Sequence, residues 1–274
     1  DRAASMIGYV AMGMAVVPMI GPAIGGWLDQ AFGWQASFWL LFILGVAILL
    51  LTWADFGETA RTKGRRMIDQ VRDYPELFRS PRFWGYTSSC ALASGAFFAY
   101  LGGAPFIGSE VFGLEPAALG LFFGAPASGY IAGNYLTGRY ATRYGINAMA
   151  LWGTLMLTFG LTVSVVLTAF ELDTVYTFFG FMVFVGIGNG LTIPNAMAGS
   201  LSVRPHLAGT ASGLGGAIML GGGAALSAAA GAVLVPGSGA MPLLLIMLAT
   251  AILSVVAMIV VIRRERQLSL VEQS

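Results

Sequence analysis

Charged side chains are widely spaced along this chain, and the intervals between them are apolar almost throughout. Charge-free runs cover residues 3–28, 30–54, 83–109, 116–138, 144–170, 174–203 and 205–262. A helix needs about 20 apolar residues to cross the hydrocarbon of a bilayer. Each of the first six runs supplies one span. The seventh holds two, divided at the turn-forming Pro236-Gly237-Ser238-Gly239. Eight spans are therefore predicted, at 4–28, 35–54, 83–107, 117–138, 147–169, 174–198, 208–235 and 241–262. The apolar positions are continuous rather than alternating, which argues against a lipid-facing β-barrel. The predicted fold class is an all-α membrane protein.

Composition agrees with this. The chain is 57% hydrophobic and only 10% charged, with a mean hydropathy of +0.79. A soluble domain carries about 25% charged residues, so this one lacks the polar surface to cover itself in water. If the spans alternate in direction, Arg2, Arg61, Lys63, Arg65, Arg66, Arg72, Arg79, Arg82, Arg139, Arg143, Arg204, Arg263, Arg264 and Arg266 all fall on one side. Those are all 14 basic residues. The opposite loops hold only Asp29, Glu110, Glu115, Glu171 and Asp173. The positive-inside rule then predicts cytoplasmic termini and a cytoplasmic 55–82 loop, in a multi-pass protein of the cell's inner (plasma) membrane. The bases serve topology, so the net charge of +1 does not point to nucleic acid.

Four segments follow from this pattern. Residues 1–54 hold two spans, and 55–82 form an inter-bundle loop. Residues 83–262 hold six spans, and 263–274 form a cytoplasmic tail. Within the loop, Met67, Ile68, Val71, Tyr74, Leu77 and Phe78 recur at helical spacing with charges between them. That pattern predicts an amphipathic helix, lying on the membrane surface or packed against the bundle ends. AASMIG at 3–8 and TASGLG at 210–215 each open a Gly-rich span after a basic loop. This internal repeat is of the parallel kind found in transporters. Asp1 and Arg2 look like the end of a cytoplasmic loop, so the chain is expected to be a fragment.

The first span contains PMIGPAIGGW, with two prolines and three glycines in ten residues. Such breakers cost roughly 3 and 1 kcal/mol per interior helix position in water. In lipid they have a use, because helices there associate by close approach at small residues. Gly21-Pro22-Ala23-Ile24-Gly25-Gly26, preceded by Gly8 and Pro18 and followed by Gly33-Trp34 and Phe38, resembles the GPxxGG signature of the fifth span in drug:proton antiporters. Those antiporters belong to the major facilitator superfamily. Glu58-Thr59 fits the same pattern, while Val17 and Gln35 depart from it. The chain is similar to about spans five to twelve of the twelve-span branch, and most like its bicyclomycin-resistance multidrug efflux subfamily. The resemblance implies the superfamily's helical bundle, with these eight spans the last eight of twelve. It also implies that Pro18, Gly21, Pro22, Gly25 and Gly26 pack across two halves and hold the outward side closed.

Gly138-Arg139 followed by Arg143-Tyr144-Gly145 resembles the degenerate second copy of the superfamily's cytoplasmic loop motif. Its arginines would pair with helix ends or simply anchor the loop. Asn134, Asn189 and Asn195 are amides inside spans, where an unpaired one costs several kcal/mol. Asn189, in Gly186-Ile187-Gly188-Asn189-Gly190, is the best candidate to face a cavity. Asn195 follows Pro194 and could satisfy a broken helix. Phe97, Phe98 and Tyr100 precede Gly102-Gly103-Ala104-Pro105, where the helix should loosen, and are further cavity candidates.

Enzymatic chemistry is not predicted. Cys90 and His206 are the only residues of their kinds, no metal-ligand spacing or nucleophile–base pair is present, and no cofactor is called for. No span holds a titratable group near mid-membrane. The resemblance implies that a proton gradient drives the cycle and that the coupling carboxylate lies in earlier spans. Its expected partners are the bilayer, protons and a small amphipathic or cationic drug, handled by a monomer when full length. A sugar, amino acid or other metabolite carrier and a non-transporting scaffold stay open as alternatives. A bulky residue in place of Gly25 is expected to abolish net efflux by the full-length protein while leaving expression intact. Drug export in cells measures this, and unchanged export would remove the motif's assigned role.

Overall fold

A computed structural model describes residues 21, 24–25, 27–28, 31–55 and 75–272. The described residues form helices α1 (Gln35–Asp55), α2 (Pro81–Phe106), α3 (Pro116–Phe123), α4 (Ala125–Tyr144), α5 (Ile146–Ala169), α6 (Val175–Ser202), α7 (Ala208–Val233) and α8 (Met241–Glu272). Among them there is no strand. Six segments are long and apolar enough to cross a membrane: Gln35–Asp55, Pro81–Val111, Ile146–Ala169, Val175–Ser202, Pro205–Val233 and Met241–Gln267. They coincide with six of the eight predicted spans. The predicted 117–138 span is instead two helices, α3 and α4, meeting at Gly124. Most of the predicted 4–28 span, and the loop pattern from Met67 to Tyr74, lie outside the described residues. Leu77, at the end of that pattern, is fully buried against the bundle beside Phe83 and Tyr86.

Local chemistry explains the helix boundaries. Ser80 caps α2 by accepting from the Phe83 N–H, with Pro81 in the first turn. Near the other end, Pro105 removes a backbone donor. The chain there widens into a π-helical turn at Ile107–Val111, and Ser109 Oγ donates to the Pro105 carbonyl at 2.9 Å. Thr174 and Thr177 form a reciprocal cap at the start of α6. Gly145, at φ +82°, both ends α4 and starts α5. That left-handed backbone favours glycine.

α6 is the centre of the bundle, with α4, α5 and α2 packed around it, while α7 and α8 pack on α2. The contacts with α4 are backbone against backbone. Gly129 and Gly133 on α4 face Gly186 and Gly190 on α6, two GxxxG pairs turned toward each other. A Cβ on Gly186 would overlap the Pro126 carbonyl, and one on Gly133 would overlap the Ile187 carbonyl. On the other side of α6, Gly188 meets Gly153 and Leu157 of α5. α1, by contrast, buries none of its residues.

Pro194 lies inside α6 and leaves the Gly190 carbonyl without its usual helical donor. Thr137 Oγ1 on α4 donates to that carbonyl at 2.9 Å, and Asn195 Nδ2 donates to Thr137 Oγ1 at 3.1 Å. Asn195 Nδ2 also reaches the Leu191 carbonyl at 2.7 Å. The carbonyl freed by the proline is thus satisfied from a neighbouring helix, which is how membrane proteins accommodate proline.

A polar cluster ties α2, α5 and α8 together at the end of the bundle that carries the arginines. Arg82 Nη2 lies 2.5 Å from Glu265 Oε1. Asn147 Nδ2 donates to Glu265 Oε2. Tyr86 Oη sits 2.9 Å from Glu265 Oε1 and 2.6 Å from Asn147 Oδ1, and donates its one proton to either. The Tyr86 ring fills the space that a Cβ on Gly199 of α6 would need. Glu265 falls in the segment predicted as tail. There α8 continues past residue 262 through Glu272, and this carboxylate turns inward to Arg82, Tyr86 and Asn147.

Two stability experiments follow. Gly186→Ala is expected to lower the stability of the purified full-length protein by about 1–3 kcal/mol, the usual range for overpacking. Gly180→Ala, where a Cβ meets nothing within 4 Å, should be neutral or slightly stabilising. Glu265→Gln is expected to lower stability by about 1–3 kcal/mol, since Arg82 keeps its charge and loses its counter-ion. A double-mutant cycle with Arg82→Gln, read by thermal unfolding, isolates the pair: additive losses would mean that the two side chains do not interact.

Candidate substrate cavity

A cavity of about 260 Å³ opens between α2, α4, α6 and α7, lined by Ser94, Phe97, Phe98, Pro126, Ala127, Tyr130, Gly186, Asn189, Ile193 and Met219. Its walls follow from helical spacing. Ser94, Phe97 and Phe98 stand at i, i+3 and i+4 on α2. Gly186, Asn189 and Ile193 stand at i, i+3 and i+7 on α6. The close seat of Gly186 on Pro126 brings Ala127 and Tyr130 to the same wall. On the α7 side, Gly223 leaves room for the Phe98 ring, which a Cβ there would strike.

No lining residue carries a charge, and the polar groups are few. Asn189 is 3% exposed, and neither its Oδ1 nor its Nδ2 has a hydrogen-bond partner in the protein. Burying an unpaired amide costs about 2–7 kcal/mol depending on the reference state. The other two span amides are treated differently. Asn134 donates to the Tyr130 carbonyl at 2.8 Å, and Asn195 holds the Pro194 kink. Asn189 alone of the three leaves both amide atoms buried without a partner, beside a cavity. An amide can both donate and accept.

Met219 also lines a smaller pocket of about 20 Å³, with Tyr86, Thr87, Cys90 and Ser200 among its walls. That pocket leads from the cavity toward the Arg82–Glu265 cluster. Thr87 Oγ1 is buried there without a partner, and Cys90 Sγ contacts Met219 Sδ at 3.8 Å. Among the described residues, no group of His, Cys, Asp and Glu is placed to hold a metal ion.

The structure brings Phe97, Phe98 and Asn189 together on this cavity. It places Tyr100 elsewhere: the ring is fully buried, stacks on Phe123 at 5.2 Å and donates to the Phe123 carbonyl at 3.1 Å. Tyr100 supports the cavity from behind, stacking on Phe97 at 6.3 Å. Gly8, Pro18, Pro22 and Gly26 lie outside the described residues. Gly21 and Gly25 are helical, and a Cβ on either would meet nothing within 4 Å. Gly138 is buried on α4, while Arg139 and Arg143 are exposed, their guanidiniums 5.9 Å and 5.4 Å from the Tyr140 and Tyr144 ring centroids. His206 is exposed, with Nε2 3.5 Å from Glu76 Oε2.

Sequence reasoning missed Ser94, Tyr130 and Met219. Stepping by helical spacing from Phe97 and Phe98 would have found Ser94. Tyr130 could have been found only by knowing that α4 docks on α6, and Met219 left no signal in a span rich in small residues.

Comparison with known proteins gives this geometry a family. Residues 1–228 match the model of the Major Facilitator Superfamily. The chain is 26% identical over 222 residues to a bicyclomycin resistance protein homolog of Haemophilus influenzae, covering 80% of this chain and 55% of that protein. It is 27% identical over 212 residues to a chloramphenicol resistance protein of Pseudomonas aeruginosa, covering 75% and 50%. It is 25% identical over 211 residues to multidrug resistance protein D of Escherichia coli, covering 76% and 52%. The chain thus spans about half the length of these relatives. Its fold also matches a bacterial homologue of the iron transporter ferroportin in its outward-facing state. That match has a TM-score of 0.64 at 18% identity, over 94% of this chain and 64% of the other. On the family match and this bundle of membrane-spanning helices, the chain belongs to the major facilitator superfamily.

Proposed function

We propose that the chain forms part of a secondary active exporter that carries small amphipathic drugs outward by alternating access, driven by inward proton flow. The observation that carries this reading is the uncharged, aromatic-walled cavity with the unpartnered amide of Asn189 at its side. Apolar walls with one or two placed polar groups are what a site for greasy, varied molecules needs. Met219 adds an adaptable surface beside Phe98. The names of the relatives as resistance proteins support the drug class.

In this reading, residues 83–262 are one bundle and residues 1–54 belong to the other, joined by the 55–82 loop. Gly21 and Gly25, with Pro18, Pro22 and Gly26, form the seam that keeps the outward side shut. The cavity wall described here offers no carboxylate, so the proton-carrying acid is assigned to the opposite bundle. The protein sits in the plasma membrane with its arginine-rich side in the cytoplasm. An adaptable, apolar cavity suits drugs better than a sugar or amino acid, whose many polar groups would each need a partner.

Everted vesicles bearing the full-length protein test the proposal. A fluorescent amphipathic dye should accumulate only when a proton gradient is imposed. Asn189→Leu and Phe98→Ala should each lower the transport rate about tenfold, the loss expected for one buried hydrogen bond or one aromatic wall. Phe170→Ala, at a ring 72% exposed, should leave it unchanged. Accumulation that ignores the gradient, or Asn189→Leu vesicles indistinguishable from the parent, would overturn it.

A further inference from the structure

A second and larger hollow, about 550 Å³, lies between α4 and α5, with α6 as its floor. Its origin is the glycine packing already described. Gly129 and Gly133 seat α4 on one side of α6, and Gly153 seats α5 on another. The two helices are joined only by Gly145, and each packs far more closely on α6 than on the other. They therefore diverge from their shared end, and a groove opens between them. Tyr140 and Tyr144 form one wall, Trp152 and Met156 the other, and Ile187 and Leu191 the floor.

We propose that this groove binds one anionic phospholipid, with an acyl chain along the groove and the phosphate on Arg139 and Arg143. Charge complementarity and depth carry the proposal. Each guanidinium stands against the ring of its neighbouring tyrosine, and both tyrosines line the groove. The Arg139 guanidinium also reaches the hydroxyls of Tyr140 and Tyr135, and the five donors of a guanidinium leave further N–H groups for an oxyanion. Both arginines are exposed, and among the described residues neither has a carboxylate within ion-pair distance. Glu265, the acid that reaches the start of α5 through Asn147, is already paired with Arg82.

Depth fits as well. Ten residues of α5 separate Ile146 from Met156, about 15 Å along the helix. That is half of a hydrocarbon core about 30 Å thick, the reach of a lipid in one leaflet. The Arg82–Glu265 and Asn147–Glu265 contacts put the start of α5 at the same end as Arg82 and the C-terminal part of α8. The groove thus opens at the basic end of the bundle, where anionic headgroups are drawn. This inference concerns a surface away from the substrate cavity and does not rest on the transport reading.

Native mass spectrometry of the full-length protein, loaded with equal amounts of phosphatidylglycerol and phosphatidylcholine of matched chains, tests it. One phosphatidylglycerol should be retained preferentially. Arg139→Gln with Arg143→Gln should weaken that retention by about fivefold for each arginine removed, whereas Arg263→Gln with Arg264→Gln should not. Met156→Trp, which fills the groove without touching charge, should also expel the lipid, and it keeps the test alive if the arginine variant fails to fold. Glycerol 3-phosphate should not displace the lipid, because it has no chain. Equal retention of the two lipids, an equal loss from the Arg263 and Arg264 pair, or displacement by glycerol 3-phosphate would overturn the proposal.

Discussion

In a bilayer, apolar side chains gain nothing by hiding from one another, so the closeness of backbone approach decides which helices pack and where. Here that approach is set by two facing glycine pairs, Gly129 and Gly133 on α4 against Gly186 and Gly190 on α6. With no side chain at these positions, the carbonyls of Pro126, Val183 and Ile187 lie where Cβ atoms would stand. α6 becomes the axis of the bundle because it carries glycine on more than one face, with Gly188 turned toward α5. The candidate cavity and the lateral groove both follow from this. The candidate cavity exists because Gly186 holds Pro126 and Tyr130 near Asn189. The lateral groove exists because the two helices docked on α6 are held apart from each other.

Much of this architecture was legible in the sequence, and the parts that were not share a physical reason. Charge-free runs, with the Pro236–Gly239 turn dividing the longest of them, locate six membrane-crossing helices to within a few residues, because a charge in hydrocarbon is costly enough to mark most boundaries. The division of α3 from α4 at Gly124 left no such mark, since glycine inside an apolar run can equally be packing surface. Glu265 reads as part of a tail because it follows the charges that end the last apolar run at residue 262. Its inward turn depends on Arg82 and Asn147, which lie 183 and 118 residues away. Spacing along one helix also separates Tyr100 from Phe98. At 3.6 residues per turn, Tyr100 points about 160° away from Phe98 around α2, so it meets Phe123 rather than the cavity.

The N-terminal part presents the opposite situation. A Cβ on Gly21 or Gly25 would meet nothing within 4 Å, and α1 leaves large side chains such as Trp39, Leu49 and Trp53 uncovered. The glycine pairs of α4 and α6 show what a glycine face does when it has a partner. Backbones close to contact distance, and side chains alongside are forced into fixed positions. A GxxxG pattern in sequence therefore states a capacity for close approach without naming the partner. The partner is legible only when a second pattern of the same spacing is present, as at Gly129–Gly133 and Gly186–Gly190.

The three span amides carry this logic to the level of single atoms. Asn134, Asn189 and Asn195 have the same chemistry, and a membrane interior penalises each alike. Asn195 is committed to the kink, its amide donating to Thr137 and the Leu191 carbonyl while Thr137 reaches the Gly190 carbonyl freed by Pro194. Asn134 is committed one turn back along its own helix. The backbone contacts around Asn189 come from Gly188 and Gly190, which offer no side chain to receive it. The residues that let the helices close are thus the ones that leave this amide open. A well-packed bundle and an uncommitted polar group in its cavity arise from one arrangement of glycines.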